Sequence, residues 1–190
     1  MDTIRIFLAV KVPEELKEKI QEVQKQLKMQ NADVGWVGPE NFHYNLKFFG
    51  YVTKAEIKKI ETAVNKAILH HRPFKLEIEG IGTFPTPTAP RVIWLGTKRG
   101  TAEITALAND LDKEFSKEGF ESETRPFTAH LTLGRVKSTQ NKEKLLEKVK
   151  DLKAMKIGEF NIEEITLFQS QLQREGPIYT ELMKFRLKEK

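Results

Sequence analysis

Cysteine is absent from the sequence. This absence excludes disulfide bridges and thiolate chemistry, and a zinc ion would have to be held by histidine and carboxylate groups alone. No pair of histidines has the HExxH spacing of a catalytic zinc site. No apolar run is long enough to span a bilayer, and the first residues lead into a strand-like run without a signal-peptide pattern. We therefore expect a cytoplasmic protein that has no membrane partner.

The length of 190 residues suffices for one domain with a sizeable core. Hydrophobic residues make up 39% of the chain and charged residues 31%, as is typical of a globular protein. The net charge of +5 favours an anionic partner such as nucleic acid. This preference is mild: because the lysines are mixed with glutamates along predicted helices, a salt-bridged, solvated surface explains most of them.

The chain contains an approximate internal repeat with an offset of 87 residues. The apolar, strand-like run at 4–10 corresponds to the run at 91–97, and a helix follows each. Pro13 opens the first helix, and the second follows Gly100. Apolar residues at helical spacing predict the buried stripes, which are Ile20, Val23 and Leu27 in the first helix and Ile104, Leu107, Leu111 and Phe115 in the second.

Later elements follow the same order in both halves. Thr53 and Glu56 have the spacing of a capping box, and Asn141 is the predicted cap of the corresponding helix. The repeat, over 4–82 and 91–166, predicts two pseudo-twofold α+β lobes within a single domain of residues 1–190, around a groove. The segment 80–90 is rich in glycine and proline, so we predict a loop that edges the groove.

Two short strands each carry a histidine followed two residues later by a small polar side chain. Residues i and i+2 of a strand share a face. Strict alternation therefore places His43, Asn45 and Lys47 on one face, and Tyr44, Leu46 and Phe48 on the apolar one. The second strand places His130, Thr132 and Gly134 opposite Leu131 and Leu133. By the same parity Phe48 is a core residue, and Trp94, in the middle of an apolar run, is predicted to be another.

These residues suit acid–base catalysis on a phosphodiester. Imidazole titrates near neutrality, so one ring takes a proton from water while the other delivers one to a leaving oxygen. The Thr132 hydroxyl and the Asn45 amide are donors for phosphoryl oxygens, where charge accumulates in the transition state. A strained cyclic phosphodiester needs no metal or cofactor, so we expect none.

The paired motifs resemble the two-histidine (2H) phosphoesterases. More narrowly, the chain resembles the LigT-like RNA 2′,3′-cyclic phosphodiesterases, also called the RNA 2′–5′ ligase family. The resemblance covers nearly the whole chain, and two motif copies at this separation are a specific signal. The segments that carry it are 6–10, 41–50, 80–85, 91–96 and 126–135.

The resemblance implies an α+β bilobal fold in which two antiparallel-rich sheets with outer helices surround a central cleft. It implies hydrolysis of an RNA or nucleotide 2′,3′-cyclic phosphate to a 2′-phosphate, with His43 as general acid and His130 as general base, although the residues alone allow either assignment. Asn45 and Thr132 would bind phosphate. Arg135 is the other expected substrate contact, and alternation places it opposite His130 unless a bulge intervenes.

Asn45 departs from the family pattern, which has threonine or serine at this position. A longer, planar amide re-aims or loses the phosphate contact, so weakened activity is expected. Two alternatives stay open from the sequence: the reverse reaction, which joins a 5′-hydroxyl to the cyclic end, and a non-catalytic module that binds RNA ends. Another nucleotide phosphodiester is a further possible substrate. We expect a monomer.

Overall fold

The structure, a computed structural model, describes residues 2–86, 88–173 and 176–188. Nine strands and four α-helices lie within this part of the chain. The strands are β1 (Thr3–Lys11), β2 (Val34–Trp36), β3 (His43–Thr53), β4 (Phe74–Pro85), β5 (Pro90–Thr97), β6 (Leu131–Val136), β7 (Lys156–Ile162), β8 (Glu164–Gln173) and β9 (Gly176–Arg186). The helices are α1 (Glu14–Lys28), α2 (Lys54–Ala67), α3 (Thr101–Lys117) and α4 (Lys142–Asp151).

The strands form an antiparallel sheet in the order β7-β4-β5-β6-β3-β1-β8-β9, with β2 paired to β6. A single residue pair, Tyr44 opposite Leu131, joins β3 to β6. We call β3-β1-β8-β9 the first half-sheet and β7-β4-β5-β6, with β2, the second. The predicted α+β class is confirmed, and the two predicted sheets are linked through this one pair.

The core lies between the helices and one face of the sheet. Alternate residues of β1, namely Ile6, Leu8 and Val10, are at most 2% exposed and face this core. All seven residues predicted for the buried stripes of α1 and α3 are also buried there. Each such side chain contributes about 1.5–3 kcal/mol of transfer free energy, so the apolar stripes hold the helices on the sheet.

The two predicted helix caps have different outcomes. Thr53 and Glu56 form the capping box of α2, with both reciprocal hydrogen bonds present. Asn141 precedes α4 with a φ of 51° and makes no side-chain cap. Its side-chain amide instead donates to the carbonyl of Asn31 at 2.9 Å, so a tertiary contact replaces the local one.

The prediction of a loop over 80–90 is wrong for most of the segment. Strand β4 continues to Pro85, and β5 begins at Pro90. Gly82 lies opposite Trp94, and a Cβ at this glycine would collide with the indole ring. The glycine is therefore needed for a close side-chain approach within the sheet rather than for a turn. Pro87 lies outside the described residues.

No helix of the described residues is long and apolar enough to cross a membrane.

Candidate active site

Both histidines lie where the two half-sheets meet. His43 is the first residue of β3, and His130 immediately precedes β6. Tyr44 and Leu131, the joining pair, are fully buried on the core side. Since side chains alternate along a strand, the neighbouring residues share the other face, which we call the histidine face.

The antiparallel register at the junction brings the two motifs together. With Tyr44 opposite Leu131, His43 is directed toward Thr132 and Asn45 toward His130. Each imidazole therefore has the polar side chain of the other motif beside it. In the described part of the chain, neither Asn45 nor Thr132 makes a side-chain hydrogen bond within the protein.

The same backbone device orients both imidazoles. His43 Nδ1 lies 2.6 Å from the carbonyl oxygen of Asn41, and His130 Nδ1 lies 2.7 Å from that of Thr128. A carbonyl only accepts hydrogen bonds, so Nδ1 carries the proton in each ring. Nε2 of each ring is left for proton transfer, and among the described residues it has no hydrogen-bond partner.

Burial weakens both imidazoles as bases. Desolvation lowers the pKa of His43 to about 4, against the opposing effect of the Asn41 carbonyl, and the charge of His130 lowers this pKa further. Desolvation also lowers the pKa of His130, with a smaller contribution from the charge of Arg135. Both rings are therefore neutral at pH 7 in the unliganded protein, and a bound anion would raise both pKa values.

Aromatic rings surround each imidazole. The ring centroid of His43 lies 4.9 Å from that of Phe7 and 5.4 Å from that of Tyr179. The ring of His130 lies 5.1 Å from that of Phe84. These apolar contacts supply the desolvation that lowers the pKa values.

Trp94 is not the core residue that the sequence predicts. It is half-buried on the histidine face, with its ring centroid 6.5 Å from that of His130. Its strand neighbours Ile93 and Leu95 face the core instead. Phe7 and Trp94 are 87 residues apart, so the repeat offset marks them as equivalent positions, although only the structure shows that each lies beside a histidine. Nothing in the sequence singles out Tyr179.

A bulge in β3 overturns the strict alternation of the first motif. Asn45 lies opposite Ala9 of β1, but the next pair is Lys47 opposite Leu8, so Leu46 is an extra residue. Lys47 therefore turns to the core side and is 5% exposed, whereas Phe48 turns to the histidine face and is 44% exposed. The predictions for Lys47 and Phe48 are both wrong for this one reason.

The equivalent bulge in β6 moves Arg135. Thr132 lies opposite Trp94 and Gly134 opposite Ile93, so Leu133 is the extra residue. Arg135 consequently pairs with Val92 and lies on the histidine face with Thr132. This is the bulge that a substrate contact by Arg135 requires.

The backbone of the second bulge is held by the buried side chain of Gln24. Its amide donates to the carbonyls of Leu133, at 2.8 Å, and Val37, at 2.9 Å. The Leu133 carbonyl also accepts from the Val37 N–H. A bulge removes residues from the ladder, so these bonds satisfy groups that would otherwise be buried without partners.

Lys47 fastens the segment that leads to His130. Its ammonium lies 2.7 Å from Asp112 Oδ1, 2.7 Å from the carbonyl of Glu121 and 3.1 Å from Glu123 Oε1. The Asp112 carboxylate also accepts from the backbone N–H of Glu123. The irregular stretch before the second histidine is thereby attached to the strand that carries the first.

Within the described residues, no three His, Cys, Asp or Glu side chains come together as a metal site. His71, outside the motifs, contacts Asp110 at 3.1 Å on the helical side of the protein.

The family model of the 2′-5′ RNA ligase superfamily matches residues 12–174. An RNA 2′,3′-cyclic phosphodiesterase of Methanothermobacter thermautotrophicus is 40% identical over 184 residues, covering 97% of this chain and 99% of the relative. One of Methanocaldococcus jannaschii is 37% identical, covering 93% and 96%.

Solved structures have the same fold. TT0787 of Thermus thermophilus superposes with a TM-score of 0.80 at 26% identity, covering 97% of this chain and 98% of that one. Escherichia coli LigT complexed with 3′-AMP has a TM-score of 0.80 at 24% identity, covering 99% and 100%. These likenesses extend over both half-sheets.

The Lys47 contacts predict a measurable loss of stability. Lys47→Met removes the donor to the Glu121 carbonyl and the ion-pair partner of the Asp112 carboxylate. The free energy of unfolding should therefore fall by about 2 kcal/mol. Lys66→Met is the control, since the Lys66–Glu118 pair is exposed and its loss should cost less than about 1 kcal/mol. Urea denaturation measures both. Equal losses in the two variants would contradict the fastening role of Lys47.

Proposed function

Because the chain belongs to the 2′-5′ RNA ligase superfamily, we propose that it is a phosphodiesterase that hydrolyses 2′,3′-cyclic phosphates of RNA ends or nucleotides to 2′-phosphates without a metal ion. The observation that carries the proposal is the junction of the half-sheets, where both imidazoles lie on one face with Nε2 uncommitted. Full-length relatives named RNA 2′,3′-cyclic phosphodiesterase support the substrate class.

The reaction needs one proton removed and one delivered. His130 Nε2 takes a proton from water as the water oxygen bonds to phosphorus. His43 Nε2 gives a proton to the 3′-oxygen as the bond between phosphorus and that oxygen breaks. The product keeps the phosphate on the 2′-oxygen, and solvent restores the two rings. This assignment of acid and base follows the family resemblance.

The flanking donors stabilise the charge on the phosphoryl group. Thr132 offers a hydroxyl and Asn45 an amide, both on the histidine face. Each such donor contributes about 2–4 kcal/mol when it is aimed at the developing charge. Arg135, which the bulge brings to the same face, supplies a guanidinium that pairs with phosphate or stacks on the base.

Substrate binding sets the protonation state. The lowered pKa values of the two histidines keep the free site neutral. A cyclic phosphodiester is anionic and raises the pKa of both imidazoles when it binds, so one ring takes up the proton that the leaving 3′-oxygen needs.

The same groups serve the reverse reaction, in which a 5′-hydroxyl attacks the cyclic end and forms a 2′–5′ linkage. The superfamily's description favours including it as a second activity.

Three further properties remain predictions. They are the monomeric state, the cytoplasmic location and the organisation of residues 1–190 as one domain of two lobes.

The first test is turnover of a 2′,3′-cyclic mononucleotide in the presence of EDTA, with phosphorus NMR to identify the product. Wild type should yield the 2′-phosphate. His43→Ala and His130→Ala should each lose about 10²–10⁴-fold in kcat because each removes a proton-transfer group. The control is His70→Ala, since His70 is exposed and outside the site. Loss of wild-type activity in EDTA, or survival of either histidine variant, would refute the mechanism.

The pH dependence follows from the two lowered pKa values. The active form of the enzyme holds one proton on the pair of histidines. Both histidine pKa values of the free enzyme lie below the ordinary imidazole value of ~6.5, so the free enzyme has lost this proton above that pH. We therefore expect kcat/KM to fall about tenfold per pH unit above this point. The falling limb of kcat should lie at higher pH because the bound anion raises the pKa. A kcat/KM that stays level from pH ~6.5 to ~8.5 would contradict the assignment.

Asn45 is the residue that departs from the family pattern. Asn45→Thr should leave kcat unchanged or raise it, since it restores a compact hydroxyl donor. Asn45→Val, which matches threonine in shape but has no donor, should be about 10²-fold slower. Single-turnover rates on the cyclic mononucleotide measure both variants. A clear loss of rate in Asn45→Thr would show that the amide is the preferred group.

A further inference from the structure

We propose that Arg5, Ser170 and Tyr179 form a subsite for a second phosphate, the internucleotide phosphodiester that precedes the cyclic end of an RNA. The subsite would make the enzyme favour RNA ends over cyclic mononucleotides. This inference rests on the proposed function and goes beyond it, since the chemical step needs only the terminal nucleotide.

The three residues form a row beside His43. Arg5 and Phe7 lie on the same face of β1, about 6.6 Å apart along the strand, and the Phe7 ring contacts the imidazole of His43. Because Ile6 lies opposite Gln169, Arg5 lies opposite Ser170, which in turn pairs with Tyr179. The ring of Tyr179 then reaches both Phe7, at 4.7 Å between centroids, and His43.

Arg5 is a half-buried cation whose contacts are neutral. Its Nη1 donates to Ser170 Oγ at 2.6 Å, and its guanidinium lies 4.5 Å from the ring centroid of Phe48. In the described part of the chain it has no carboxylate within ion-pairing distance. Removing a guanidinium from water without a counter-charge is unfavourable, so an anion at this position would stabilise it.

Neighbouring lysines differ from Arg5 in this respect. In the same half-sheet, Lys11 of β1 pairs with Glu181 of β9 at 2.6 Å, and Lys184 of β9 pairs with Glu164 of β8 at 3.0 Å. Their charges are already neutralised within the protein. Among the described residues of this half-sheet, Arg5 is therefore a cation whose charge is left for a ligand.

Tyr179, which pairs with the Ser170 that Arg5 contacts, adds a neutral donor to the row. Burial raises the pKa of its phenol, while the charges of Arg5 and Arg135 act to lower it. Because the pKa is raised, the hydroxyl stays protonated at neutral pH and is available as a donor. A guanidinium with most of its five N–H donors unused, beside a phenolic O–H, is a donor set that suits phosphate oxygens.

The position of the row identifies which phosphate it would bind. The cyclic phosphate must lie between the two Nε2 atoms. The 5′-phosphate of the same nucleotide is one ribose away, and in an RNA this group is the internucleotide linkage. A cyclic mononucleotide has no anion there, so it leaves Arg5 uncompensated.

The test compares three substrates: adenosine 2′,3′-cyclic phosphate, the dinucleotide ApA ending in a 2′,3′-cyclic phosphate, and the same dinucleotide with a neutral methylphosphonate linkage. In wild type, kcat/KM should be about tenfold or more higher for the charged dinucleotide than for the neutral one. In Arg5→Met this ratio should approach one, and in Tyr179→Phe it should fall in part. Arg72→Met, which removes an exposed charge between α2 and β4, should keep the wild-type ratio.

Equilibrium binding tests the subsite independently of turnover. The ligands are the two product dinucleotides, which carry a terminal 2′-phosphate and have either a charged or a neutral linkage, and the measured quantity is the ratio of their affinities. The neutral linkage probes wild type directly, so the test does not depend on the folding of Arg5→Met. Equal affinities for the two products in wild type, or an unchanged ratio in Arg5→Met, would overturn the subsite. Failure of all three substrates to turn over would refute the proposed function instead, while a charged-linkage preference in binding would still support the subsite.

Discussion

The backbone pair between Tyr44 and Leu131 is the constraint on which the site depends. It is the one strand-to-strand residue pair that joins the two half-sheets in the described chain, and both partners are fully buried. Burial of these side chains fixes which face the adjacent residues occupy, because a slip of one residue would turn the apolar side chains outward. Two histidines separated by 87 residues of sequence are thereby set on one face.

Two bulges adapt this junction to its chemistry. Leu46 and Leu133 are the extra residues of their strands and are themselves 87 residues apart. Beyond each bulge the alternation is reversed, which brings Phe48 and Arg135 to the histidine face. On one side of each bulge the alternation buries apolar side chains in the core. On the other side it presents Phe48 and Arg135 to the site.

Desolvation is the other feature that both histidines share. Each Nδ1 donates to the carbonyl of the residue two positions earlier, and aromatic rings exclude water from the imidazoles. The carbonyl bonds favour the protonated rings, but burial is the larger effect and lowers both pKa values. An anionic ligand reverses that balance, so the site is protonated when it is occupied rather than before.

The sequence by itself determined the elements whose signals are local. The buried stripes of α1 and α3, the capping box at Thr53 and Glu56, and the matched histidine motifs follow from periodicities of a few residues. Only the tertiary structure decided the burial of Lys47, the placement of Trp94 beside His130 and the approach of Tyr179 to His43. A bulge is defined by the register of a partner strand, and a curled sheet brings distant side chains into contact. Neither is encoded in the local alternation of one strand, so no reading of that alternation reveals them.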